Sequence, residues 1–167
     1  MILKTTLLGV TMVGALLAQA PSISKEALQG YTGLKNNLSK LAEKTPEDVY
    51  GYKPVESIRT LAGLIGHVAD SQLRTCTAVN GDMKTGTASK LTAKADLVAA
   101  LKASFDECDK AFGALTDANL TDAIKTPRGD RSRLIALMGI IVHGNEEYGY
   151  MAVYLRMKNI VPPSSEK

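Results

Sequence analysis

The chain has 167 residues, with 20 basic and 17 acidic side chains, a formal net charge of +3, two cysteines, two histidines and no tryptophan. The charges are interspersed, so the chain carries neither a nucleic-acid stripe nor a basic amphipathic membrane helix. With only two phenylalanines, an aromatic-lined binding platform is excluded as well.

The first twenty residues read as a cleaved signal peptide. Lys4 supplies a short positive region, Leu7 to Leu17 form an apolar stretch, and Ala18-Gln19-Ala20 has the small-x-small pattern that signal peptidase reads. The apolar stretch is shorter than the ~20 residues needed to span a bilayer, so no stable anchor is expected after cleavage. The expected location is therefore periplasmic or secreted. Residues 21–167 retain 19 basic and 17 acidic side chains and suffice for one domain with its own core.

Four helices are predicted, joined by polar linkers. The first covers about 24–44, where Leu28, Tyr31, Leu34, Leu38 and Leu41 recur at helical spacing. Thr45-Pro46-Glu47-Asp48 reads as a cap with Pro at N1, opening a short turn of helix at most. The second helix opens near Ser57 or Thr60 and ends at Asn80-Gly81, with the stripe Ile58, Leu61, Ile65, Val68, Gln72, Cys76 and Val79. A linker over about 80–93 follows, too long for a tight helix turn and long enough to run the length of a bundle. The third helix covers about 94–115 through Leu97, Leu101, Phe105, Cys108 and Phe112. A polar stretch with a turn at 126–130 leads to the fourth, about 131–158. That helix is apolar on nearly every face in its first half, which predicts the most buried element. No β alternation of any length is visible. Four helices with one long crossover predict an all-α four-helix bundle.

The chemistry concentrates on the fourth helix. His143 and Glu147 are one turn apart and project to the same side, where a carboxylate among apolar neighbours needs a partner. His143 as imidazolium, Arg133, Arg156 or a metal ion could each serve. The remaining histidine, His67, lies roughly 140° from the centre of its helix's apolar stripe, a position that faces either solvent or a cleft between helices. Gly63 and Gly66 thin the surface around it. A phosphate loop, a nucleophile elbow and a CxxC motif are all absent.

Cys76 and Cys108 allow two readings, a disulfide permitted by export or two buried thiols acting as small hydrophobes. An antiparallel hairpin of the second and third helices would hold them about 15 Å apart. Parallel helices would bring them together.

Two segments carry a resemblance. Leu61-Ala62-Gly63-Leu64-Ile65-Gly66-His67-Val68-Ala69-Asp70 is similar to the first metal-ligand helix of the DinB (DinB/YfiT-like) superfamily. The second resembling segment begins His143-Gly144-Asn145-Glu146-Glu147-Tyr148-Gly149 and continues through Val153 to Met157 to Val161-Pro162-Pro163. The resemblance implies up-down-down-up order, with the long crossover between parallel helices 2 and 3, and so brings Cys76 nearer Cys108. It also implies a divalent metal, zinc or nickel, held by three histidines near one end of the bundle. Two map onto His67 and His143, and the third falls on Glu147. A carboxylate ligand also admits manganese or iron.

On this reading the function is that of an exported metal-dependent thiol transferase or hydrolase acting on a small molecule. The alternative is a non-catalytic bundle with a degenerate metal site, acting in binding or stress response. The family further implies a possible homodimer, and no nucleic-acid partner is expected.

Overall fold

A computed structural model describes residues 21–126 and 129–166; the signal-peptide reading of residues 1–20 lies outside the described residues. Four long helices dominate: α1 (Ile23–Lys44), α2 (Leu61–Val79), α3 (Lys94–Gly113) and α4 (Arg133–Met157). Their starts follow local chemistry. Ser22, Thr60 and Ser132 each place a side-chain oxygen on the amide three residues on, capping α1, α2 and α4. The ends of α2 and α4 share one device. The amide of Asp82 bonds the carbonyl of Thr77 and that of Gly81 bonds Ala78, with Gly81 at φ 87°. Ile160 and Asn159 repeat this on Leu155 and Arg156, with Asn159 at φ 58°.

Cross-helix contacts give the order directly. Gln72 meets Ser104 and Cys76 is disulfide-bonded to Cys108, so α2 and α3 run parallel. Tyr31 bonds Asp109 while Ser24 bonds Asp117, which makes α1 antiparallel to α3. His67 meets His143 while Arg133 reaches the carbonyl of Val79, so α4 is antiparallel to α2. The bundle is thus up-down-down-up, as the resemblance implied, and each helix has two neighbours.

The crossover from α2 to α3 runs back along α2. The Asp70 carboxylate accepts the amides of Ala88 and Ser89, at 2.7 and 3.0 Å, and strapped this way the chain passes directly over Gly66. A Cβ on Gly66 would collide with the main chain at Ala88 and Ser89. Gly66→Ala should therefore cost about 1–3 kcal/mol, measurable as a lowered denaturation midpoint with an unchanged slope.

The face between α1 and α3 stacks Tyr31 on Phe112 at a centroid separation of 4.1 Å. Beside it, Asp109 accepts from Tyr31 Oη at 2.7 Å and Lys35 Nζ at 2.6 Å. Burial works against ionisation of the Asp109 carboxyl, but these two hydrogen bonds and the Lys35 charge outweigh it and hold the pKa below its ordinary value. The sign follows from a lowered carboxylate pKa. The contribution is complete above the ordinary carboxylate range, near pH 4, and disappears as pH falls through the Asp109 pKa. Asp109→Asn should destabilise the protein at neutral pH, and the gap from wild type should close in acid unfolding titrations.

Three expectations from sequence need correction. α4 is not the most buried helix: α2 buries 12 of its 19 residues and α4 only 10 of 25. Ile135, Val142, Val153 and Met157 stand in solvent. Apolar residues circle α4, so its composition marks no inner face. Leu28 of α1 and Ile58, which precedes α2, are both exposed, so the two expected stripes bury only from Tyr31 and from Leu61 onward. Ala123–Ile124 also pairs with Arg131–Ser132 as a two-residue antiparallel ladder, too short to leave an alternation.

Candidate metal centre

The two histidines come from facing helices. α2 turns its apolar stripe toward α3, through Gln72 and Cys76, and a second face toward α4. His67 is on that second face. This explains why it lies far from the stripe's centre yet meets His143, and it selects the cleft reading over the solvent-facing one. Both imidazoles remain about one-third exposed, whereas the Glu147 side chain is 8% exposed.

The Nε2 atoms of His67 and His143 are 3.1 Å apart, and Glu147 Oε1 lies 3.7 and 3.6 Å from them respectively. The point equidistant from these three atoms lies about 2.0 Å from each, which matches zinc bonds to histidine nitrogen and carboxylate oxygen. The three residues thus form a cluster able to hold a metal ion. Without a metal, the 3.1 Å separation fits a hydrogen bond in which one ring donates and the other accepts.

Glu147 favours a cation. Its Oε2 atom is buried and has no hydrogen-bond partner. The arginines that sequence offered as partners are used elsewhere: Arg133 donates to the Val79 carbonyl, and Arg156 to the Ala152 carbonyl and Ser165 Oγ. A buried carboxylate with an orphan oxygen costs several kcal/mol unless a cation compensates it. The histidines are suited to ligation. Burial, then the nearby Arg59 charge, lower the His67 pKa, with smaller contributions from His143 and Arg74, and Glu147 offsets this only in part. His67 is therefore held toward the neutral form that binds metals.

The cluster lies roughly a third of the way along α2 and near the middle of α4, further from the helix ends than the resemblance implied. Cavities open on both sides. One, of about 310 Å³, follows the α2–α4 groove away from the histidines. The other, of about 780 Å³, lies beside Glu147, Arg59, Tyr150 and Tyr154. The tyrosines are tied up, Tyr154 Oη donating to the Arg59 carbonyl and Tyr150 Oη to Glu146. Sequence reading did not single out Arg74 or Arg131, both of which line the groove. Arg74 carried a usable signal, since it stands seven residues after His67 and so on the same face.

Fold and cluster together define a four-helix bundle with a two-histidine, one-carboxylate centre between antiparallel helices. The family profile of the DinB superfamily matches residues 31–151. The chain belongs to the DinB superfamily. A DinB-like protein of Bacillus cereus superposes with a TM-score of 0.68 at 19% identity, over 85% of this chain and 96% of the other. One from Bacillus subtilis gives 0.64 at 20% identity, over 85% and 99%. A conserved protein of Enterococcus faecalis gives 0.63 at 16% identity, over 82% and 96%. At such identities the likeness concerns the fold. No protein of curated function matches the sequence.

Proposed function

We propose that this is an exported metalloenzyme that holds one divalent cation between His67, His143 and Glu147 and uses it on a small molecule. The observation that carries the reading is the donor triangle, whose centre lies at metal-bond distance beside an orphaned buried carboxylate oxygen. Two neutral imidazoles and one carboxylate leave coordination positions for water or substrate. A bound cation would lower the pKa of a thiol or water at those positions, which is the chemistry of thiol transfer or hydrolysis. Glu147 in place of a third histidine adds negative charge, so manganese and iron join zinc and nickel as candidates. Export is supported independently by the Cys76–Cys108 disulfide, a bond that persists in oxidising compartments.

A second reading rests on the direct His67–His143 contact, which satisfies both Nε2 atoms without a metal. The protein would then be a non-catalytic scaffold with a decayed site. Elemental analysis separates the two. The metalloenzyme reading expects about one metal per chain, lost in His143→Ala and weakened at least tenfold in Glu147→Gln, with Glu147→His restoring or tightening binding. A wild-type protein that neither carries nor takes up zinc, nickel, manganese or iron establishes the scaffold instead.

A further inference from the structure

The groove beyond the histidines has a composition that metal binding does not require. On α2, Ser71, Arg74, Thr75 and Ala78 line it, at intervals of 4, 7, 8 and 11 residues from His67. These positions share one helix face and extend about 16 Å from the metal cluster. The opposite wall comes from α4 and is apolar, through Ile135, Ala136 and Ile140. Arg131, next to the α4 cap residue Ser132, closes the far end.

The charge is one-sided. Among the described residues no acidic side chain lines this cavity, and neither Arg74 nor Arg131 forms an ion pair. Six lysines pair with acidic side chains, among them Lys35 with Asp109, Lys44 with Glu166, Lys84 and Lys110 with Glu107, and Lys102 with Asp106; what sets Arg74 and Arg131 apart is that they line the same cavity. Half-buried Arg74 and exposed Arg131 thus offer two guanidinium groups to one cavity of small-molecule size, a donor set suited to an oxyanion. A bare inorganic ion would leave the apolar wall of α4 uncovered.

We propose that the groove between α2 and α4 binds a small organic acid, its oxyanion held by Arg74 and Arg131 and its apolar body lying on Ile135, Ala136 and Ile140. The ligand's other end then reaches the His67–His143 centre. This names the substrate class of the function proposed above and rests on that reading for its catalytic meaning, although the binding itself depends on the arginines.

The test is calorimetric titration of the purified protein, metal-free and zinc-loaded, with 3-phenylpropanoate, 3-phenylpropanol and inorganic phosphate. The expected result is that the acid binds and the alcohol binds at least tenfold more weakly. Arg74→Gln and Arg131→Gln should each cost about tenfold or more in acid affinity. Arg74→Lys should fall between, because it keeps the charge and loses the planar fork. Equal binding of acid and alcohol, or wild-type affinity in both arginine variants, overturns the proposal. Phosphate binding as tight as the acid also overturns it, since the apolar wall would then contribute nothing. Zinc uptake is measured in the same samples, which keeps the two readings apart. Arginine-dependent acid binding without zinc uptake defeats only the metal reading, and zinc uptake with arginine-independent binding defeats only this one.

Discussion

Metal-stripped protein should melt about 8 °C higher once zinc is present at a free concentration 100 times its dissociation constant. A ligand that binds only the folded state adds about 2.7 kcal/mol at that ratio. For a bundle of this length, 1 kcal/mol moves the melting temperature by about 3 °C. The specificity of the shift is its more telling property. His67 and His143 come from helices that meet only in the folded bundle, so the unfolded chain offers no competing two-histidine site. His67→Ala and His143→Ala should each abolish the shift while leaving the metal-free melting temperature almost unchanged, since both rings are about one-third exposed. Glu147→Gln should behave differently. It removes a buried negative charge whose Oε2 lacks a partner, so the metal-free protein should be as stable as wild type or more stable, and the zinc shift should shrink. Differential scanning calorimetry with and without zinc measures both effects. Identical shifts in wild type and the two histidine variants would place the metal elsewhere.

Loss of the disulfide should have an effect of similar size and opposite sign. Cys76 and Cys108 are 32 residues apart, and closing a loop of that length in the unfolded chain is worth about 4 kcal/mol in the chain-entropy account. Both residues are fully buried between α2 and α3. Replacing both by serine would add two hydroxyls in an apolar setting, so the double alanine variant isolates the cross-link better. Its melting temperature should fall by about 12 °C, and reduction of the wild type under partly denaturing conditions should give a similar loss. A fall of only a degree or two would show that the unfolded chain is already compact around these helices. The variant should still bind metal when folded, because the disulfide lies at the α2–α3 contact and the metal cluster at the α2–α4 contact.

Much of the architecture was legible in the sequence because helix formation is local. The first-helix pattern from Tyr31 to Leu41 became the buried face of α1, and Asn80-Gly81 ended α2 through the expected left-handed glycine. The parallel setting of α2 and α3 was legible only through family resemblance. A linker's length shows that a crossover is feasible, but not that it is taken. The pairing of Cys76 with Cys108 depended on the same point. α4 marks the limit of pattern reading: a helix apolar all round its surface declares no inner face, so its exposed Ile135, Val142 and Val153 could not be foreseen.

The site divides along the same line. Sequence alone determined that His143 and Glu147 share a helix face, since a four-residue interval fixes that within one helix. It also determined that Glu147, among apolar neighbours, would need a counter-charge. The resemblance had already named His67 as the partner of this pair; only the tertiary structure brought its ring within 3.1 Å of His143, engaged Arg133 and Arg156 elsewhere, and opened Arg74 and Arg131 onto the same groove. The physical reason is that periodicity belongs to a single helix, whereas convergence belongs to the order in which helices are packed. His67 looked misplaced against one apolar stripe because α2 has two neighbours, and its second face, turned toward α4, is the one that joins the His67–His143–Glu147 cluster.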